Sequence, residues 1–264
     1  MYPILFKVHS ITIYSFGLLV ILGMIVGVLV LWFLSKKLEL DLPSGKFFDY
    51  VIYVLLAGMI GSRLFYVIFH MSYFKNYLSQ IVTAWTSGLS FYGGLIFGAI
   101  TAILLLRNNK DRLKWLDIAF ISTMFGLAVG MIGTFLNGSY YGKSTHLPWA
   151  VTFTKLDSFA VAVLNQPVHP VQIYESLVAL VIGLILLFIV LKKMKGIPDG
   201  FVFLVGLFLY SAWRIIADYL FLGRPEVIDR IRIDVLISGL LIVGSVATLI
   251  YLIKKIINNK QIHG

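Results

Sequence analysis

The sequence predicts an all-α integral membrane protein, a bundle of about seven transmembrane helices with its N-terminus outside and its C-terminus in the cytoplasm. Three observations carry this expectation. Hydrophobic residues make up 59% of the 264 positions and charged residues 13%, against roughly 45–50% and about 25% in soluble domains. Seven apolar stretches approach the roughly 17–25 residues needed to cross the hydrocarbon layer. The Lys and Arg residues also gather in alternate connections, as topology signals do.

The spans are expected at about 12–34, 48–69, 89–106, 117–136, 173–191, 200–220 and 235–253. No repeat and no low-complexity tract interrupts them, so residues 1–264 read as a single polytopic transmembrane domain. Met1 to Ser10 lack a basic n-region, and the apolar run that follows is too long for a signal-peptide core. It reads as a retained helix. Thirteen basic residues fall on one side: Lys36, Lys37, Lys46, Arg107, Lys110, Arg112, Lys114, Lys192, Lys193, Lys195, Lys254, Lys255 and Lys260. Seven fall on the other: Lys7, Lys75, Lys143, Lys155, Arg224, Arg230 and Arg232. The richer side is assigned to the cytoplasm.

The net charge of +10 comes from short clusters beside apolar runs. That pattern suits anionic headgroups and gives no basic stripe for nucleic acid. With no cysteine in the chain, disulfides, thiolate metal sites and a cysteine nucleophile of its own are excluded. Two outer connections are long. Residues 70–88 carry Tyr73, Phe74, Tyr77 and Trp85, rings expected at the interface. Residues 137–172 are rich in Gly, Pro, Asn, Ser and Thr and are the better place for binding residues or a gate.

Charges within spans are rare and face a cavity or a partner. Arg63 lies toward the outer end of the second span, and Arg214 in the sixth. Each has two readings. Arg63 either snorkels to the interface or binds a lipid phosphate; Arg214 either pairs with Asp218, four residues on, or clamps the same phosphate in bidentate fashion. Gly93-Gly94 beside Tyr92 permits close approach of a helix or a ligand. Gly126, Gly130 and Gly133 give the fourth span a smooth face, and Asn137-Gly138 is either a C-cap or a polar contact for a ligand. His169-Pro-Val-Gln172-Ile-Tyr-Glu175 opens the fifth span, where Glu175 complements the helix dipole.

In chain order, Met1-Tyr-Pro-Ile-Leu-Phe6, Tyr14-Ser-Phe-Gly17, Arg63-Leu-Phe-Tyr66, Phe91-Tyr-Gly-Gly-Leu95, the Gly130–Gly142 segment, Leu147-Pro-Trp-Ala-Val-Thr-Phe153 and His169–Glu175 resemble the prolipoprotein diacylglyceryl transferase family. The resemblance implies transfer of a diacylglyceryl group from phosphatidylglycerol to the lipobox cysteine thiol of a preprolipoprotein signal segment, in the bacterial cytoplasmic membrane, with glycerol phosphate released. It implies no metal and no organic cofactor. By the same resemblance, Arg214 and Tyr92 take the catalytic positions. Tyr14, Arg63, Asn137, Gly138, His169, Gln172 and Asp218 take substrate-binding positions, with Arg214 and Asn137 at the phosphate and glycerol oxygens.

The chain departs from the family pattern at several of these positions. Met131 stands where the family has an arginine, Tyr92 where many members have histidine, and Phe221 where a second arginine is usual. Asp218 takes the place of a glutamate. Arg63, Lys143 or Arg224 would then supply the missing positive charge. Losing cations at a phosphate site weakens transition-state stabilisation, so a second reading is a paralogue that binds phospholipid or signal segment without transfer. A transporter or channel is the third reading. It is disfavoured because no inverted repeat is visible and the polar clusters lie at the outer ends of the spans.

Overall fold

In the computed structural model the described residues are 3–8, 11–40, 42, 45–81, 90–154, 160–193, 197–222 and 233–263. They fall into two compact units, Met1–Leu38 with Leu113–Gly264, and Glu39–Arg112.

The larger unit opens with a hairpin that the sequence did not lead us to expect. Strand β1 (Ile4–Val8) pairs antiparallel with β2 (Ile11–Tyr14). Helix α1 (Ser15–Lys37) therefore starts after residues 12–14, which had been assigned to the first span. A run of β-branched residues at Ile11, Thr12 and Ile13 suits an extended chain as well as a helix. Ser15 then fixes the change of direction, its amide and hydroxyl both donating to the Pro3 carbonyl at 3.0 and 3.1 Å. Lys36 and Lys37 end α1 where cations complement the helix dipole.

Helices α5 (Arg112–Asn137), α6 (Val171–Lys193) and α7 (Phe201–Ala217) complete the scaffold of the site, and α8 (Ile233–His263) packs on α7. Both α5 and α8 run beyond the apolar windows that announced them. A helix does not have to stop where the hydrocarbon does, and the basic turns at Arg112–Lys114 and Lys254–Lys255 stay helical. Glycines set the closest approaches. A Cβ on Gly23 would lie 2.5 Å from the Gly126 carbonyl oxygen, and one on Gly206 would lie 2.5 Å from the Phe120 ring.

Helix α7 also relies on α5 for its cap. Gly200 precedes it with φ +86° and has no side chain to offer. Asp117, 1% exposed on α5, accepts instead from the amides of Gly200 at 2.9 Å and Phe203 at 2.7 Å. Two of the amides left unpaired at any helix start are thus satisfied across a tertiary contact. Beyond α7 the chain makes one wider turn, the π-helical Asp218–Leu222.

The smaller unit contains α2 (Lys46–Phe69), the short α3 (Met71–Phe74), a 3₁₀ turn at Leu78–Ile81 and α4 (Phe91–Leu106). Ser90 caps α4, its hydroxyl accepting from the Gly93 amide, so the helix starts two residues after the expected position 89. The Gly93-Gly94 pair packs on a helix: Gly93 lies against the carbonyl of Gly61, and a Cβ on Gly94 would lie 3.3 Å from the Gly58 oxygen.

Among the described residues, five helices are long and apolar enough to cross a membrane: Ser15–Lys37, Lys46–Phe69, Arg112–Asn137, Val171–Lys192 and Val235–Lys254. Gly93–Leu106 and Phe201–Ala217 are shorter apolar helices. This is a multi-pass, all-helical membrane architecture with two minor hairpins.

Candidate functional site

The turn that follows α5, the N-terminal turn of α6 and the C-terminal end of α7 meet at Arg214. Asn137 is the last residue of α5, and Gly138 follows with φ +81°. Its amide donates to the carbonyls of Thr134 at 3.0 Å and Phe135 at 3.2 Å. This left-handed exit is the geometry glycine permits most cheaply. The side chain of Asn137 is nonetheless buried. Tyr140, two residues beyond Gly138, also has a left-handed backbone, with φ +59°.

Glu175, fully buried one turn into α6, is the hub. It accepts from the Tyr210 hydroxyl at 2.7 Å and from the Trp213 indole nitrogen at 2.6 Å, and lies 3.7 Å from Arg214 Nη1. That Nη1 also donates to the Tyr140 hydroxyl, and the guanidinium carbon stands 5.5 Å from the Tyr140 ring centre. Tyr210 lies one turn before Arg214 on α7, so the i, i+4 spacing brings both to the same carboxylate. Arg214 keeps 16% of its side chain exposed, so solvent or a ligand reaches it.

The other expected residues of this unit lie around that hub. Gln172, fully buried, donates from Nε2 to the Ser139 carbonyl, while its Oε1 has no hydrogen-bond partner among the described residues. His169 is buried at the entrance to α6; its Nδ1 lies 3.3 Å from the Tyr174 hydroxyl, which accepts from Trp149 Nε1 at 2.7 Å. Burial, and then the positive charge of Lys143, hold the His169 pKa below its ordinary value. Asp218 is buried at the end of α7, its amide on the Arg214 and Ile215 carbonyls. Arg214 thus meets a carboxylate on another helix, Glu175, for which the sequence suggested a helix-dipole role within the His169–Glu175 motif.

Gly142 holds the loop against this end of the unit. A Cβ there would lie 2.7 Å from those of His169 and from Val171 Cγ2, and 2.8 Å from the Phe221 oxygen. The Gly142 amide donates to the His169 carbonyl, and the Lys143 amide to that of Phe221, at 3.0 and 2.7 Å. Two short strands, β3 (Val151–Thr152) and β4 (Pro167–Val168), brace the loop around buried Phe153, Ala160 and Val168.

The departures from the family pattern have structural substitutes. Phe221 packs edge-on to His169 and Tyr174, with ring centres 5.0 and 5.1 Å apart, so aromatic contact occupies the arginine position. Met131 accepts a 3.3 Å contact at its sulfur from the Thr134 hydroxyl. Lys143 Nζ reaches the Tyr219 carbonyl at 3.5 Å. Arg224 lies outside the described residues.

Tyr14 ends β2 with more than half of its side chain exposed. In the smaller unit, Arg63 is buried and does not snorkel. Its Nε donates to the Ile81 carbonyl at 2.9 Å, a terminal nitrogen donates to that of Gln80, and the guanidinium lies over the Phe74 ring at 5.3 Å. Phe74, expected among the interfacial rings, is therefore buried beneath a cation. Trp85 and the side chain of Tyr92 lie outside the described residues.

Sequence alone did not mark Tyr140, Tyr210 and Trp213 as site residues. The spacing of Tyr210 to Arg214 carried the signal for one of them; the left-handed turn that delivers Tyr140 left no pattern to read.

The fold and this partly exposed arginine define a polytopic helical membrane protein with a cationic site at one end of its helices. Residues 3–251 match the family model described as prolipoprotein diacylglyceryl transferase. The chain belongs to that family. It is 31% identical over 241 residues to the phosphatidylglycerol–prolipoprotein diacylglyceryl transferase of Finegoldia magna, covering 90% of this chain and 92% of that one. It is 30% identical over 262 residues to the enzyme of the same name from Streptococcus pyogenes serotype M5, covering 96% and 95%.

Proposed function

We propose that this protein transfers the diacylglyceryl group of phosphatidylglycerol to the lipobox cysteine of a preprolipoprotein, at an outward-facing site in the bacterial cytoplasmic membrane. Family membership over nearly the whole chain carries the reading. The chain is read as one polytopic domain of seven spans, α4 and α7 included, with the N-terminus outside. The basic residues of the alternate connections support that orientation.

In the proposed reaction the substrate thiol gives up its proton, which the released phosphate takes in the net balance, its sulfur forms a bond to C3 of the glycerol, and the bond from that carbon to the phosphate oxygen breaks. Glycerol phosphate leaves with the electron pair. Charge therefore grows on the departing phosphate, and a preorganised cation there lowers the barrier. Arg214 is assigned that task, because Glu175 and Tyr140 hold its guanidinium from two directions while part of it stays exposed. Asn137, Gly138 and Gln172 are assigned to the glycerol and phosphate oxygens from the end of α5 and the start of α6. His169 and Asp218 are assigned to the wall of the same site. Tyr14 and Arg63 remain proposed substrate contacts, and Tyr92 a proposed catalytic residue, on the motif resemblance alone.

The deciding assay incubates the purified protein with phosphatidylglycerol and a lipobox peptide, reading peptide mass and glycerol phosphate. A thioether-linked diacylglyceryl adduct is expected. Arg214→Ala should lower the rate by about 10²–10³, the size of a lost charge-stabilising contact. A wild-type rate in that variant refutes the assignment. Phe221 and Met131, which bring no cation, favour a second reading in which phospholipid is bound without transfer. Binding with no adduct, under conditions in which a relative reacts, would select it.

A further inference from the structure

We infer that Tyr140 is a substrate-binding residue whose hydroxyl donates to the same phosphate that Arg214 holds. The inference rests on the transferase reading for the identity of that phosphate. Its support lies in how the turn is built.

A non-glycine residue at φ +59° sits in a sparsely populated region of backbone space, and such residues persist where the surroundings over-determine them. Here the turn is tied on both sides of Tyr140. Before it, Gly138 is hydrogen-bonded back onto α5 and the Ser139 carbonyl accepts from the buried Gln172 on α6; after it, the Gly142 amide donates to the His169 carbonyl. Between these ties Tyr140 reaches α7, with its hydroxyl on Arg214 Nη1 and its ring beside the guanidinium.

The chemistry follows from the donor inventory. A phenol hydroxyl that accepts from a guanidinium can donate its own hydrogen at the same time. Arginine and tyrosine together then offer an anion a charged planar donor and a neutral one, without the desolvation cost of a second buried cation. This matters in a chain where Met131 and Phe221 bring no charge to the site. An aromatic side chain that only filled space would have no use for the hydroxyl, so the phenol oxygen is the atom to test.

The experiment compares wild type with Tyr140→Phe, full length in nanodiscs. It measures affinity for phosphatidylglycerol and for diacylglycerol, which has the same acyl chains and no phosphate, alongside transfer kinetics. Losing a hydrogen bond to a charged group corresponds to about 10- to 150-fold. Phosphatidylglycerol affinity and kcat/KM should fall by that factor, with diacylglycerol affinity unchanged. Equal affinities in the two proteins overturn the inference, and so does a parallel loss for both lipids, which marks a structural role. Tyr140→Asn is the second variant: asparagine tolerates the left-handed backbone, and its short side chain stops short of Arg214. It should show the same phosphate-selective loss, and wild-type phosphatidylglycerol affinity there also overturns the inference. A wild-type protein that binds but does not transfer refutes the activity alone, because the affinity comparison still decides the role of Tyr140.

Discussion

Glu175→Gln removes one formal charge from the hub of the site while keeping its volume. In the wild type, both carboxylate oxygens accept: Oε1 from Tyr210 and Oε2 from Trp213, with Arg214 Nη1 3.7 Å from Oε1. A glutamine has one acceptor oxygen. Its amide nitrogen then faces the phenol, which can turn to accept from it, or the indole or guanidinium, which only donate. Either way a charge-assisted hydrogen bond is lost, worth about 1.5–3 kcal/mol. If Glu175 acts by fixing the guanidinium, that energy appears as misplacement of Arg214 in the transition state. Transfer would then slow by roughly 10- to 150-fold in kcat/KM, since each 1.4 kcal/mol is about tenfold. Glu175→Asp keeps the charge and should recover part of the rate. The assay is lipobox-peptide modification at several phosphatidylglycerol concentrations, with thermal unfolding in detergent as the folding control. A folded Glu175→Gln protein with kcat/KM within twofold of wild type refutes the idea that Glu175 positions Arg214.

Asp117→Ala strips the cap from α7 and orphans the amides of Gly200 and Phe203. A loss of about 2–3 kcal/mol is expected, read as a fall in Tm of roughly 4–12 °C for a unit of this size; an unchanged Tm counts against the tertiary cap. For His169, burial first and the Lys143 charge second lower the pKa in the folded protein. As pH falls below the ordinary histidine value, about 6.5, the unfolded chain takes up the proton before the folded one does. Stability should therefore decline from there down through the lowered pKa, with no contribution above that range. His169→Gln should flatten that part of the stability–pH curve, and an unchanged slope would show that another group is responsible.

Apolar content and run length made the helices legible, because crossing hydrocarbon imposes a minimum length that few soluble sequences satisfy. Boundaries were less legible where something other than hydropathy sets them. Ser90 starts α4 by a side-chain cap, Pro3 receives Ser15 across a hairpin, and α8 continues through its lysines. In the site, Arg214 was visible as a charge inside an apolar run. The Glu175 contact was not, because it depends on the packing of α6 on α7, which residue type does not reveal. Arg63 shows the same limit. Its partners include the carbonyls of Gln80 and Ile81, and backbone acceptors leave no trace in residue type.

The two anchors of α7 have a consequence for how this chain can vary. Phe203 is tied to Asp117 near one end of the helix, and Tyr210 and Trp213 to Glu175 near the other. Seven residues, about two turns, separate Phe203 from Tyr210. Inserting or deleting a single residue between them would turn the distal anchors by roughly 100° relative to the cap, swinging Arg214 away from its carboxylate. Apart from Gly206, where a side chain would meet the Phe120 ring, substitutions along that stretch need only remain apolar, whereas its length is fixed by two carboxylates on different helices. Length variation in relatives that keep both anchors should therefore be confined to the loops, and α7 should differ among them in composition but not in residue count.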